Sequence, residues 1–229
     1  MKYVKTAIVL LVVVAGTVLF WRGGDPSLPA LAPEQQEAID ALIEAYSSGR
    51  LDAVTEVQVE AVVSAGRRAT PYVHQAIRRG RRGTGDGPTS SCDVFAATLA
   101  RVAARYPVGD TGRTEAVDAI CSILRHDHSR DHIHHDRKVA AAALVLLGEA
   151  GRAPVLAGAI AQQEGLAASA TGTEAVETLA YLRAALDALG TGRGQGKPDG
   201  LCWFTDADGR RVRGFRVPLG PAPKGPEAP

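Results

Sequence analysis

Apolar residues recur at intervals of three and four between residues 34 and 190, which is the spacing of one face of an α-helix. Ile39, Leu42, Ile43 and Tyr46 form the first such set, and the run from Val139 to Leu147 is apolar without interruption. A helix that is apolar on all sides packs between other helices. Glycine and proline separate the segments. The predicted helices span residues 34–48, 51–65, 70–80, 92–106, 111–125, 131–150, 153–163 and 173–189.

One dipeptide repeats along this helical region. Its copies lie at intervals of 38, 43 and 40 residues, at Ala38-Ile39, Ala76-Ile77, Ala119-Ile120 and Ala159-Ile160. Around the second and fourth copies the match lengthens, because Gly66 precedes Pro71 much as Gly148 precedes Pro154. A period near 40 in a helix-rich chain is typical of stacked helix pairs.

Two stretches resemble the HEAT repeat. They are Arg137 to Gly148 followed by Ala153-Pro154-Val155-Leu156, and Glu60 to Val73, in which a helix ends at glycine and the next begins near proline. The resemblance covers roughly residues 51–164. It implies an all-α fold, a short right-handed α-α superhelix of about three helix pairs over residues 34–190. It also implies a curved surface that binds other proteins, because the HEAT family has no common catalytic residues.

The first 22 residues have the pattern of a transmembrane anchor. No charge interrupts Thr6 to Trp21, and Tyr3 and Trp21 flank this segment as interfacial aromatic residues do. Lys2 and Lys5 precede it. The positive-inside rule therefore predicts a single-pass membrane protein with residues 4–21 in the bilayer, the N-terminus cytoplasmic and the remainder exported. The alternative is a signal peptide whose cleavage leaves a secreted protein.

The segments outside the helical region have distinct compositions. Residues 23–33 and 191–200 are linkers rich in proline and glycine respectively. Residues 201–217 contain a short strand signal around Trp203 and Phe204 and a turn at 206–209, which predicts a small β-hairpin or capping segment. Residues 218–229 are rich in proline and are expected to be disordered.

The composition argues against several classes of partner and site. Twenty-six Lys and Arg residues against 25 Asp and Glu leave a net charge of +1, so nucleic acid is not an expected partner. Cys92, Cys121 and Cys202 have neither disulfide-framework nor zinc-site spacing. These features favour a membrane-anchored, non-catalytic scaffold that binds another protein and needs no cofactor.

A histidine-rich segment is the first candidate site. Five of the six histidines lie within residues 126–135. Imidazole and carboxylate groups suit zinc, nickel or copper, and residues four apart on a helix can share one metal. The alternative function is therefore a metal-binding or sensing module in loop 126–136, and a polar inter-helix turn and a pH-responsive patch are further interpretations. The candidate ligands are His128, His132, His135 and Asp136.

An arginine cluster is the second candidate site. Arg78, Arg79, Arg81 and Arg82 place four guanidinium groups within five residues, next to a glycine-rich loop. Such a cluster can bind phosphates or anionic headgroups. The competing interpretation is favourable charge placement at a helix C-terminus, which accounts for Arg78 and Arg79.

Overall fold

A computed structural model of the chain describes residues 28–49, 54–80, 91–125, 132–169, 173–198, 202–205 and 211–214. The core is all-helical, as predicted. It lies in one compact unit that begins at Leu31; a second unit, Met1–Ala30, falls almost wholly outside the described residues. The described helices are α1 (Pro33–Ser47), α2 (Glu56–Ala65), α3 (Thr70–Gly80), α4 (Asp93–Ala104), α5 (Thr111–Leu124), α6 (Ile133–Leu147), α7 (Ala153–Ser169) and α8 (Thr173–Thr191).

Local signals explain where several helices begin and end. Thr55 caps α2, since its hydroxyl accepts a hydrogen bond from the Gln58 backbone N–H and the Gln58 side chain accepts one from the Thr55 backbone. This capping box makes α2 begin at Glu56. Gly66 and Gly148 end α2 and α6 with positive φ angles of 58° and 69°. A 3-10 turn begins at Gly66 itself, and another begins two residues after Gly148.

The helices pack in two rows. Each helix packs mainly against helices one or two places away in the chain: α1 against α2 and α3, α5 against α3, α4, α6 and α7, and α8 against α6 and α7. The odd-numbered row therefore contains α1, α3, α5 and α7, and the even-numbered row contains α2, α4, α6 and α8. The helices on either side of Gly66 and of Gly148 make few contacts with each other.

The repeated dipeptide marks every helix of the odd-numbered row. Its four copies lie in α1, α3, α5 and α7, and all eight side chains are buried. Each isoleucine is 8% exposed or less. The period near 40 residues is thus the sequence separation between successive helices of the odd-numbered row.

Burial is deepest in the middle of the even-numbered row. Every residue from Asp93 to Ala100 in α4 and from Val139 to Leu147 in α6 is buried. The prediction that the apolar run of α6 packs between neighbours is confirmed, because α6 contacts α4, α5 and α8. The ring of Phe95 on α4 lies 4.6 Å from that of Tyr46 on α1, centroid to centroid.

The chain after α8 folds back against α6. The Gly196 N–H donates to the Leu146 carbonyl over 3.0 Å, and Pro198 is buried. Two four-residue strands, β1 (Cys202–Thr205) and β2 (Arg211–Gly214), pair antiparallel with Cys202 opposite Gly214. The side chains of Trp203 and Phe204, residues 218–229 and residues 23–27 of the linker 23–33 lie outside the described part of the chain.

The membrane localisation expected from the sequence is contradicted. Among the described residues, no helix has both the length and the apolar character needed to cross a bilayer. The longest of these helices, α8, carries Glu174, Glu177, Arg183 and Asp187. The segment that led to the expectation, residues 4–21, lies outside the described residues.

Candidate interaction surface

Polar side chains join neighbouring helices at the starts of α3 and α5. The backbone N–H of Arg67 donates to the Tyr106 hydroxyl over 2.8 Å, and the Arg67 guanidinium forms two hydrogen bonds with the carboxylate of Glu115 on α5. On the other side of α5, Arg152 pairs with Asp118 over 2.8 Å. Because Arg67 precedes α3 and Arg152 precedes α7, α3, α5 and α7 have their N-terminal ends at the same edge of the odd-numbered row.

Two arginines bind the C-terminal ends of even-numbered helices. Arg105 donates to the Val63 carbonyl in the last turn of α2 over 2.7 Å. Arg113 donates to the Leu147 carbonyl at the end of α6 over 2.6 Å and pairs with Glu149 over 2.7 Å. A cation at a helix C-terminus satisfies free carbonyls and opposes the negative dipole end. These contacts join the end of α2 to the segment after α4, and the end of α6 to α5.

An open cleft of about 500 Å³ lies on α3. Pro71, His74, Gln75, Arg78 and Arg79 line it. Arg78 and Arg79, two of the four predicted anion-binding residues, are exposed; Arg81 and Arg82 fall outside the described residues. His74 and Gln75 were not predicted as site residues, although their spacing of four from Arg78 and Arg79 places them on the same helix face.

The described candidate metal ligands lie around the start of α6. The carboxylate of Asp136 is buried and accepts hydrogen bonds from the Ser91 hydroxyl over 2.8 Å and the Cys92 backbone N–H over 2.7 Å. It therefore caps α4 from a distant part of the chain. His135 Nε2 lies 3.6 Å from Asp93 Oδ2, and His132 is half-buried just before the helix.

No group of three or more His, Cys, Asp or Glu side chains suited to one metal occurs among the described residues. His128, the fourth candidate ligand, falls in a part of the chain that the structure does not describe. The metal site therefore stays a prediction.

Burial controls the chemistry of the acidic and thiol groups in this region. It raises the pKa of Asp136 from 3.8 to about 6, although the Ser91 and Cys92 hydrogen bonds oppose the shift. Burial also raises the pKa of Cys92 well above its ordinary value and that of Cys121 to about 11. Both cysteines are buried free thiols. Near neutral pH neither is a thiolate nucleophile.

Comparisons with known proteins give no match: no family model, no curated protein and no solved structure is similar to this chain.

Proposed function

We propose that this protein is a non-catalytic scaffold of HEAT-like helical repeats, arranged as a short right-handed superhelix, that binds another protein through its odd-numbered row. The main support is the placement of the four Ala-Ile copies, one buried in each of α1, α3, α5 and α7. A repeat that stacks one helix pair per period produces a surface extended in one direction, which suits contact with a protein more than with a small substrate.

Accessible surface on two helices supports the choice of the odd-numbered row. Of its 17 residues, α7 buries only Leu156, Ala159, Ile160 and Gln163. Ala157, Ala161 and Leu166 are exposed on its other side, and α3 exposes the arginines of its cleft. The odd-numbered row thus offers accessible helix surface at two places.

Site-specific photocrosslinking in cells that produce the full chain tests this function. A p-benzoylphenylalanine placed at Gln75 on α3 or at Ala161 on α7 is expected to form an adduct with one protein, identified by mass spectrometry. Val57 on α2, which is 79% exposed, is the control position in the even-numbered row. The purified partner is then expected to bind the purified full chain in solution. The proposal fails if neither α3 nor α7 yields a specific adduct, or if the partner identified does not bind.

A further inference from the structure

The arginine side chains that the structure describes fall into two groups. Most serve the fold: Arg67, Arg101, Arg113, Arg152, Arg183 and Arg193 form ion pairs, and Arg105 and Arg137 donate to carbonyl or amide oxygens. Four form no hydrogen bond or ion pair within the described part of the chain, namely Arg68, Arg78, Arg79 and Arg125. All four are exposed. Three of them belong to α3 or to the turn that begins it.

The unpaired guanidinium groups on α3 share one face with its cleft. Arg68, Pro71, Gln75 and Arg78 follow one another at intervals of three, four and three, which is the spacing of one helix face. Arg79 lies beside Arg78. At about 1.5 Å per residue, Arg68 and Arg78 are roughly 15 Å apart along the helix. We call Arg68, Pro71, His74, Gln75, Arg78 and Arg79 the α3 strip.

No carboxylate of the helix itself neutralises the α3 strip. The α3 sequence contains no Asp or Glu. Arg125, at the C-terminal end of α5, lies at the same edge of the odd-numbered row as Arg78 and Arg79, because α3 and α5 run in the same direction and pack together. Three arginines that form no ion pair with the described residues therefore lie at this edge, in a protein whose total charge is +1.

We propose that the α3 strip binds an acidic segment of a protein partner, with Arg68 and the Arg78–Arg79 pair each holding a carboxylate. This inference rests on the proposed scaffold function and names the chemistry of its partner. Guanidinium groups bind carboxylates through two parallel hydrogen bonds. Two cationic positions roughly 15 Å apart match carboxylates spread along an extended peptide better than one phosphate group.

The middle of the α3 strip is polar. His74 and Gln75 lie between its two cationic positions and line the cleft. α3 carries Tyr72 and His74, and rings of this kind stack on the bases of single-stranded nucleic acids. Nucleic acid is therefore the competing ligand class that the test must separate.

Fluorescence anisotropy with the purified full chain tests the inference. The probe is a fluorescein-labelled twelve-residue peptide with glutamate at every second position, and its glutamine counterpart is the neutral control. The variant R68Q/R78Q/R79Q is expected to raise the Kd of the glutamate peptide about tenfold or more. The matched variant R183Q/R193Q/K197Q removes the same charge from α8 and the segment after it. It is expected to change the Kd less than about twofold, because salt screens the long-range effect of charges that lie outside the α3 strip.

Three results of the anisotropy assay would overturn the inference, and a fourth comes from the crosslinked partner. The three are no binding of the glutamate peptide, equal weakening in both triple variants, and tighter binding of a twelve-nucleotide oligothymidylate than of the peptide. Circular dichroism checks that both variants fold; we expect this of the α3 variant because Arg68, Arg78 and Arg79 form no hydrogen bond or ion pair with the described residues. If the triple α3 variant still forms the photocrosslinked adduct and binds that partner normally, the scaffold stands and the acidic-segment site does not.

Discussion

The hydroxyl of Tyr106 accepts a hydrogen bond from the backbone N–H of Arg67 over 2.8 Å, across 39 residues of sequence. The same hydroxyl lies 2.4 Å from where a Cβ on Gly66 would stand. One tyrosine thereby joins the end of α4 to the turn between α2 and α3. Because the Tyr106 hydroxyl occupies the space that a Cβ would need, this packing of helices requires glycine at position 66.

Replacing Gly66 with alanine is expected to destabilise the protein by about 2 kcal/mol or more. Alanine is strained at a φ of 58°, and its Cβ would displace the Tyr106 hydroxyl. Gly158→Ala on α7 is the control, because nothing lies within 4 Å of its added Cβ and alanine favours a helix by roughly 0.5–1 kcal/mol. Urea unfolding of both variants measures the contrast, and equal effects would contradict the Tyr106 contact.

Arg113 is expected to contribute more to stability than Arg183, although both form ion pairs. The side chains of Arg113 and Glu149 are only 11% and 17% exposed, and Arg113 also binds the end of α6. Arg113→Ala should lower the free energy of unfolding by about 3 kcal/mol, because it leaves a mostly buried carboxylate and carbonyl without their donor. Arg183→Ala removes an exposed pair and should cost less than about 1 kcal/mol. A cost for Arg113→Ala no larger than that for Arg183→Ala would show that the α6 end does not need this cap.

Asp136 should make stability depend on pH. Its pKa is about 6 in the folded protein against an ordinary 3.8, because burial disfavours the charged form. The folded state therefore binds the Asp136 carboxyl proton more tightly than the unfolded state does. The stabilisation from Asp136 is therefore complete below about pH 4 and is lost as the pH rises through 6, by on the order of 3 kcal/mol.

Comparison with Asp136→Asn isolates that contribution. Burial also lowers the pKa of His134, so the contribution of His134 to stability is lost as the pH falls. Because His134 is present in both proteins, this contribution cancels in the comparison. The stability of wild type minus that of the variant is expected to decrease between pH 4.5 and pH 7.5. A difference that is flat or increases with pH would contradict the assignment.

The buried thiols should resist modification in the folded protein. Cys92 and Cys121 are both 0% exposed, and burial raises the pKa of each. In a Cys202→Ser variant, an aromatic disulfide reagent at pH 8 is expected to label neither thiol quickly and to label both after denaturation. Rapid labelling of the native protein would mean that the helices around α4 or α5 open readily.

Local patterns in the sequence were enough to predict much of the helical core. The Ala-Ile period marked the odd-numbered row, and the apolar run of α6 indicated its central position. Gly66 and Gly148 ended helices because they take up left-handed backbone angles. The box formed by Thr55 and Gln58 was also readable in the sequence, yet the prediction began that helix at residue 51.

Contacts between distant residues could not be predicted in this way. Arg105 and Arg113 bind helix ends more than 30 residues away, and nothing in their local sequence indicates those partners. Asp136 was considered as a metal ligand because of its neighbouring histidines, and its observed role is to cap α4 across 44 residues. Arg78 and Arg79 were already candidate anion-binding residues. The separation of paired from unpaired arginines depends on tertiary structure, and so does the assignment of Arg68 to the α3 strip.

The most direct test of the account is the distance between the two ends of the even-numbered row. Spin labels at Val57→Cys on α2 and Val176→Cys on α8, in the Cys202→Ser background, use exposed positions. Three successive helix spacings of about 9–10 Å predict a separation of roughly 30 Å or more by pulsed electron paramagnetic resonance. A distribution centred below about 20 Å would place α2 beside α8 in a closed bundle and contradict the extended stack on which the scaffold depends.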